Sequence, residues 1–165
     1  MTFASICVIL SIQRRKGMKK MTIWFDLDGT LVRTYEVENW LDYLHKEDVY
    51  PYAQARPLGD MRTLARKLNK LHRAGYTIGV ISWGSKTSSK AYLEAVREAK
   101  KKWLDKHLHS VKWDAIHVVE YGTPKETFKL GAEDILFDDE ARNRENWGEY
   151  SFDPSQIMEI LSALG

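Results

Sequence analysis

The sequence predicts an α/β fold in three layers, with a central parallel sheet covered by helices on both faces. From Met21 onward, short apolar segments rich in β-forming residues alternate with segments whose apolar residues recur at helical spacing. The apolar segments are continuous, as is typical of parallel strands buried on both faces. No internal repeat and no long Pro/Gly/Ser-rich linker divides the chain. We therefore expect a single domain over 21–165.

Four strands are predicted from short runs of β-branched, aliphatic and aromatic residues. They are Thr22–Phe25, Thr77–Trp83, Ala115–Glu120 and Asp134–Phe137.

The first two helices are predicted by apolar periodicity and by residues that favour helix ends. Glu38–Lys46 carries apolar residues at helical spacing. Asp60 is the expected N-cap of a second helix over 61–74, and Gly75 is expected to end it.

Three more helices complete the alternation. Ser88 or Ser89 is expected to cap a long third helix, whose apolar residues recur every three or four positions. Thr123 is the expected N-cap of a short helix with Pro124 in its first turn. An apolar-periodic helix after Pro154 finishes the chain.

Composition excludes several classes of protein. Hydrophobic residues make up 44% and charged residues 29% of the 165 residues, which excludes wholesale disorder. The one cysteine, Cys7, excludes an internal disulfide and a cysteine-rich zinc module. We therefore expect a reducing, cytoplasmic setting.

The basic net charge comes from the N-terminal leader, 1–20, which carries five basic residues and no acid. The rest of the chain is mildly acidic, so global charge gives little support for nucleic-acid binding. The apolar run at 3–12 is too short to span a bilayer, and its positive charges follow it, unlike those of a secretory signal. We expect no stable membrane partner and a leader that is poorly ordered or a misassigned start.

Polar side chains follow every predicted strand. Asp26 and Asp28 follow the first strand, and Ser82 lies near the end of the second. Lys125 comes shortly after the third strand, and the pair Asp138–Asp139 follows the fourth. Because ligands of such sheets bind outside the carboxyl ends of the strands, we expect these groups to converge on one edge.

Four carboxylates at one edge would repel each other unless a cation lay among them. All-oxygen ligands favour Mg²⁺ or Ca²⁺, and a site that keeps water for a phosphate favours Mg²⁺. Lys125, Ser82 and the backbone N–H groups around 27–28 and 83–84 are suited to phosphate oxygens. The sequence therefore predicts a Mg²⁺ and phosphate site.

The chain resembles the haloacid dehalogenase-like (HAD) phosphohydrolase superfamily over 22–140 in the order of four motifs. These are DLDGT, a strand ending in Ser, a Lys, and a strand ending in DD. The later LFDDE and NREN runs resemble those of short phage and bacterial members. The resemblance implies a Rossmann-like fold and Mg²⁺-dependent phosphoryl transfer through an aspartyl-phosphate.

Catalytic roles are implied by the resemblance, residue by residue. Asp26 corresponds to the nucleophile, and Asp28 to the acid and base that serves the leaving oxygen and then water. Ser82 corresponds to the hydroxyl that binds the transferred phosphoryl group. Lys125 corresponds to the lysine that neutralises nucleophile and phosphate, and Lys129 competes with it for that role.

Metal and substrate contacts follow from the same resemblance. Asp26 and Asp138 are expected at the metal, Asp139 is expected to bind it directly or through a water molecule, and Asp28 is expected to contact it through its main-chain carbonyl. Substrate contacts are expected at Gly29, Thr30, Trp83 and Gly84.

The stretches from Asp26 to Ser82 and from Ser82 to Lys125 are too short for a folded cap domain, so a capless, open site is expected. An open site admits a small phosphorylated molecule or the end of a nucleic acid. Aromatic residues at 40–52 could stack on a base, but we interpret them as ordinary packing.

Two basic clusters are interpreted as solvated helix faces. They are Arg62, Arg66, Lys67, Lys70 and Arg73, followed by Arg97, Lys100, Lys101, Lys102 and Lys106.

The leading hypothesis is a Mg²⁺-dependent phosphomonoester hydrolase. One alternative keeps this chemistry on nucleotides or nucleic-acid ends, and another is a phosphate- or metal-binding regulatory module without turnover. A receiver domain is disfavoured, because there the acid pair comes first and the lysine last.

Overall fold

The structure is a computed structural model that describes residues 21–86 and 88–165, so the predictions for the leader and Cys7 lie outside the described residues. The strands are β1 (Thr22–Phe25), β2 (Thr77–Trp83), β3 (Ala115–Val119), β4 (Ile135–Phe137) and β5 (Ser151–Phe152). The α-helices are α1 (Trp40–His45), α2 (Tyr50–Gln54), α3 (Met61–Arg73), α4 (Lys90–His107), α5 (Ala141–Trp147) and α6 (Ile157–Leu164). Short 3-10 helices cover Thr34–Glu36, Lys125–Phe128 and Pro154–Gln156.

The five strands form one parallel sheet in the order β3-β2-β1-β4-β5. Ile23 of β1 is in register with Ile78 of β2 on one side and with Ile135 of β4 on the other. The predicted α/β class with a central parallel sheet is confirmed. The carboxyl ends of β1, β2 and β4 are therefore adjacent along one edge.

Helices cover both faces of the sheet, as predicted. On one face, Phe25 and its neighbours join a buried core with residues of α3, α4 and α6, among them Leu68 and Leu104. On the other face, Trp24 packs with Leu136 and with Trp147 of α5. The sheet is thus the middle of three layers, and the apolar side chains of β1 and β4 are buried on both sides.

The predicted helix ends are confirmed at two capping residues. Asp60 accepts hydrogen bonds from the N–H groups of Arg62 and Thr63, and the Ser89 hydroxyl accepts one from Tyr92. The prediction for Thr123 is wrong, because the 3-10 helix begins at Lys125 and the Thr123 hydroxyl donates to the Glu120 carbonyl instead.

Apart from the isolated β-bridges that Val32 forms with Asp28 and Pro57, the described chain between β1 and α3 forms a 3-10 turn and the two short helices α1 and α2. Tyr52 of α2 is buried against Tyr92 and Val96 of α4, so the interpretation of this aromatic residue as packing is confirmed. No described helix combines the length and apolar character needed to cross a bilayer.

Candidate active site

Three carboxylates meet where β1 and β4 end side by side. Asp26 directly follows β1, and Asp138 and Asp139 directly follow β4. One carboxylate oxygen from each lies within 4.8 Å of the other two. The Asp26 N–H donates to the Phe137 carbonyl at 2.9 Å and continues the pairing of the two strands, which fixes how closely the acids approach.

Lys125 lies between two of these carboxylates. Its Nζ donates to Asp26 Oδ1 at 2.8 Å and to Asp138 Oδ2 at 2.6 Å, and the lysine is 2% exposed. Burial alone lowers the pKa of Lys125, but the negative charges of Asp26 and Asp138 outweigh it and raise the pKa above its usual range. The structure therefore holds Lys125 as a charged ammonium within the acidic cluster.

Lys129, the competing lysine, lies elsewhere. Its Nζ donates to the Trp147 carbonyl at 2.5 Å and lies 5.0 Å from the centre of the Trp147 ring. Of the two lysines that the sequence left open, Lys125 is the one whose ammonium reaches the carboxylates.

The acid pair after β4 has an unfavourable charge balance. Burial and the charge of Asp26 together raise the pKa of Asp138 to about 6, against the opposing effect of Lys125. Burial, Asp26 and Asp138 raise the pKa of Asp139 to about 7. One ammonium does not balance three acids, so a divalent cation would relieve the remaining repulsion. Three carboxylates are hard oxygen donors, which fit Mg²⁺ or Ca²⁺.

Gly29 and Thr30 shape the position of Asp139. Gly29 has a φ of +74°, and a Cβ built on it would lie 2.2 Å from Asp139 Oδ2. The buried Thr30 hydroxyl accepts a hydrogen bond from the Asp139 N–H at 3.1 Å. Both residues were expected at the substrate; the structure places them against the acid pair.

The Asp28 side chain lies outside the three-acid cluster. Its Oδ1 accepts a hydrogen bond from the Thr34 hydroxyl at 2.6 Å, and its Oδ2 accepts one from Lys100 Nζ at 2.5 Å. The same Nζ donates to Ser82 Oγ at 2.8 Å and to the Trp83 carbonyl at 2.6 Å. Asp28 and Ser82 are thus brought together by one ammonium group.

The interpretation of Lys100 as part of a solvated face is wrong. Lys100 is 2% exposed, and its ammonium lies 4.9 Å from the centre of the Tyr52 ring. A signal was present in the sequence, because Val96, Lys100 and Trp103 share one face of the helix at spacings of four and three. A lysine within an apolar stripe must find buried partners.

Two residues of α5 support the acid pair and were not predicted. The buried Asn143 Nδ2 donates to both oxygens of Asp138 at 3.2 Å. Arg144 Nη1 donates to the main-chain carbonyls of Asp138 and Asp139 at 2.7 Å each. The available signal was their position one helical turn after the acids.

Aromatic rings flank the site. Trp83 follows Ser82, its indole N–H donates to the Thr123 carbonyl, and its ring lies 4.9 Å from the half-exposed Tyr121 and 5.1 Å from Lys125 Nζ. The N–H of Gly84, which was expected near a phosphate, donates to the Val119 carbonyl at 2.7 Å in this structure.

A second aromatic pair, Tyr35 and Trp40, has its ring centres 5.1 Å apart. Although Tyr35 is about half exposed, desolvation and the charges of Asp28 and Asp26 raise its pKa. Tyr35 therefore lies close enough to the acids to sense their field.

Comparison with known proteins gives one named structural likeness. No family model and no curated protein sequence matches the chain. A solved structure of D,D-heptose 1,7-bisphosphate phosphatase from Burkholderia thailandensis matches with a TM-score of 0.48 and 16% sequence identity. The match covers 79% of this chain and 74% of that one.

Proposed function

We propose that this protein is a Mg²⁺-dependent phosphomonoester hydrolase in which the Asp26 carboxylate attacks phosphorus. The observation that carries the proposal is the group of three carboxylates within 4.8 Å, with the Lys125 ammonium bonded to two of them. Cations beside a buried carboxylate are what attack on a dianionic phosphate requires, because they offset the repulsion between nucleophile and substrate. The motif order that resembles the HAD superfamily supports the same assignment.

In the first step, an Asp26 oxygen forms a bond to phosphorus while the bond from phosphorus to the ester oxygen breaks. The proton on the leaving oxygen comes from the Asp28 carboxyl group. The Ser82 hydroxyl and Lys125 bind the oxygens of the transferred phosphoryl group. The products are the free alcohol and an aspartyl-phosphate on Asp26.

In the second step, the Asp28 carboxylate takes a proton from a water molecule as that water attacks phosphorus. The bond between phosphorus and Asp26 breaks, inorganic phosphate leaves, and both acids return to their starting states. Lys125, already bonded to Asp26, stabilises the carboxylate as it reforms.

Asp26, Asp138 and Asp139 would hold the Mg²⁺ ion. The bound ion supplies positive charge to the phosphate oxygens and cancels the repulsion among the three acids. Asn143 and Arg144 would keep the two acids after β4 in place, since they bond to the side chain and main chain of this pair.

The decisive test is hydrolysis of a panel of phosphomonoesters by the wild-type protein and by Asp26→Asn. We expect turnover with Mg²⁺, loss of turnover with EDTA, and loss in the variant without a change in far-UV circular dichroism. Retained turnover in Asp26→Asn, purified free of contaminating phosphatase, contradicts the assigned nucleophile. Mg²⁺ binding with no hydrolysis of any ester favours a regulatory module instead.

A nucleotide or nucleic-acid end is the second candidate substrate, and the flanking aromatic rings favour it. The Trp83–Tyr121 pair lies beside Ser82, and Tyr35 with Trp40 lies near the acids. Lys86 lies 6.0 Å from the centre of the Tyr121 ring and adds positive charge there. The chain between β1 and α3 is too short for a folded cap domain, which supports a capless, open site that would admit such a ligand.

The same panel separates the two candidates when it includes nucleoside monophosphates and oligonucleotides with 5′- or 3′-phosphates. A nucleic-acid substrate predicts a higher kcat/KM for oligonucleotides that falls steeply with salt. It also predicts that Tyr121→Ala raises the KM for oligonucleotides and leaves the KM for a small alkyl phosphate unchanged.

A further inference from the structure

Lys100 is a buried cation that the hydrolytic steps above do not use. It projects from the middle of α4, and its side chain is 2% exposed, between Val96 and Trp103 on the apolar face of the helix. Taking an ammonium group out of water is unfavourable unless each of its hydrogens finds an acceptor. The contacts of this lysine therefore indicate what it does.

All three donor positions of the Lys100 ammonium are occupied. The acceptors are Asp28 Oδ2 at 2.5 Å, the Trp83 carbonyl at 2.6 Å and Ser82 Oγ at 2.8 Å. Two of these come from the end of β2 and the third from the loop after β1. The lysine is thus anchored on one strand end and holds a carboxylate that follows the neighbouring strand.

The Asp28 carboxylate is held from both sides. Lys100 binds one oxygen, and the buried Thr34 hydroxyl donates to the other at 2.6 Å. The orientation of a carboxylate with both oxygens bonded is restricted, and misplacement of a catalytic group by about 1 Å can cost 10²-fold in rate.

The contact with Ser82 has a second consequence. An ammonium group can only donate, so Ser82 Oγ accepts from Lys100 and keeps its own hydrogen for another acceptor. The Ser82 hydroxyl is thereby left to donate to a phosphoryl oxygen.

We propose that Lys100 is a positioning residue that holds the Asp28 carboxyl group in register with Ser82, both when Asp28 is protonated and when it is ionised, because its oxygens keep lone pairs for hydrogen bonds in either form. The inference rests on the proposed function, since the group it positions is the one that protonates the leaving oxygen. It assigns Lys100 a role separate from that of Lys125, which contacts Asp26 and Asp138.

The test compares Lys100→Met with a control variant, Lys101→Met, on aryl phosphates whose leaving groups differ in basicity. Lys101 is the next residue of α4, about half exposed, and its ammonium contacts Glu98. The value of kcat/KM covers all steps up to departure of the leaving group. Phenyl phosphate needs proton donation from Asp28 far more than 4-nitrophenyl phosphate does.

For Lys100→Met we expect kcat/KM to fall about 10²-fold with phenyl phosphate and clearly less with 4-nitrophenyl phosphate. Lys101→Met should match the wild type with both. An equal fall with both esters, or no fall, overturns the inference, because a merely structural residue has no preference among leaving groups. If the wild type hydrolyses neither ester nor any other member of the panel, the proposed function fails and this inference with it.

A double variant guards against misfolding of Lys100→Met. In Asp28→Asn/Lys100→Met the carboxylate and the ammonium are removed together, so no buried charge is left without its partner. If Lys100 acts through Asp28, the double variant and Asp28→Asn alone will have the same kcat/KM with phenyl phosphate. A further loss equal to that of Lys100→Met contradicts the inference.

Discussion

Substitution of Gly29 by alanine tests whether Asp139 is a metal ligand. Gly29 has a φ of +74°, and its added Cβ would lie 2.2 Å from Asp139 Oδ2 and 2.6 Å from Cγ. The Asp139 backbone cannot retreat easily, because Thr30 binds its N–H and Arg144 binds its carbonyl. The side chain must therefore rotate away from the position it shares with Asp26 and Asp138.

Gly29→Ala has two separable effects, a loss of stability from backbone strain and a loss of Mg²⁺ affinity. A β-carbon in the left-handed region costs about 1 to 2 kcal/mol, which lowers the Tm by about 2 to 8 °C in a chain of this size. Loss of a contact that supports a metal ligand typically weakens metal binding about 10- to 100-fold. Displacement of Asp139 itself should weaken Mg²⁺ binding at least as much. Each tenfold loss removes about 1.4 kcal/mol of the stabilisation that saturating Mg²⁺ gives the wild type.

Thermal unfolding at increasing Mg²⁺ concentration measures both effects. The control is Gly59→Ala, because Gly59 also has a positive φ, +94°, but no atom of a described residue other than its chain neighbours lies within 4 Å of its added Cβ. We expect both variants to lose stability in EDTA and Gly29→Ala alone to lose its response to Mg²⁺. If Gly29→Ala responds to Mg²⁺ as Gly59→Ala does, Asp139 is not a ligand of that ion.

Two further predictions concern the charges of the site. In EDTA, the Tm should fall as pH rises from about 4 through 7. The pKa values of Asp138 and Asp139 in the folded chain, about 6 and about 7, exceed the ordinary 3.8, so the folded state binds extra protons that are lost over this range. Saturating Mg²⁺ or the substitution Asp139→Asn should make the fall in Tm less steep, and an equally steep fall in Asp139→Asn would refute this cause. Lys125→Met should lower kcat by at least about 10²-fold, because it leaves Asp26 and Asp138 without their cation. Lys129→Met should keep kcat within a few-fold of the wild-type value. Similar losses of kcat in steady-state assays of the two variants would contradict the different positions of the two lysines.

The strands and the convergence of acids at their ends could be predicted from sequence because each depends on neighbours along the chain. Continuous apolar runs occur at Thr22–Phe25 and Thr77–Trp83, and such runs are typical of strands buried on both faces of a covered parallel sheet. β5 was not predicted, since two residues carry no periodicity and this strand exists only because it pairs with β4.

Choices between similar residues needed the three-dimensional packing. Lys125 and Lys129 both follow Pro124 within a few residues, and a backbone that turns as a 3-10 helix sends the first to the acids and the second to Trp147. An α-helix begun at Thr123 would have directed these side chains differently, so the position of the lysine could not be read from its spacing alone.

The sequence by itself determined the α/β class and the order in which Asp26, Ser82, Lys125 and the acid pair reach one edge, because residues that follow parallel strands share that edge whatever the helices do. The tertiary structure alone decided that Lys100 joins Asp28 to Ser82. These partners lie 72 and 18 positions away in the chain, and they meet only because α4 packs its apolar face, lysine included, against the sheet. Because a buried ammonium group is unfavourable without hydrogen-bond acceptors, it binds the acceptors available at the ends of the strands.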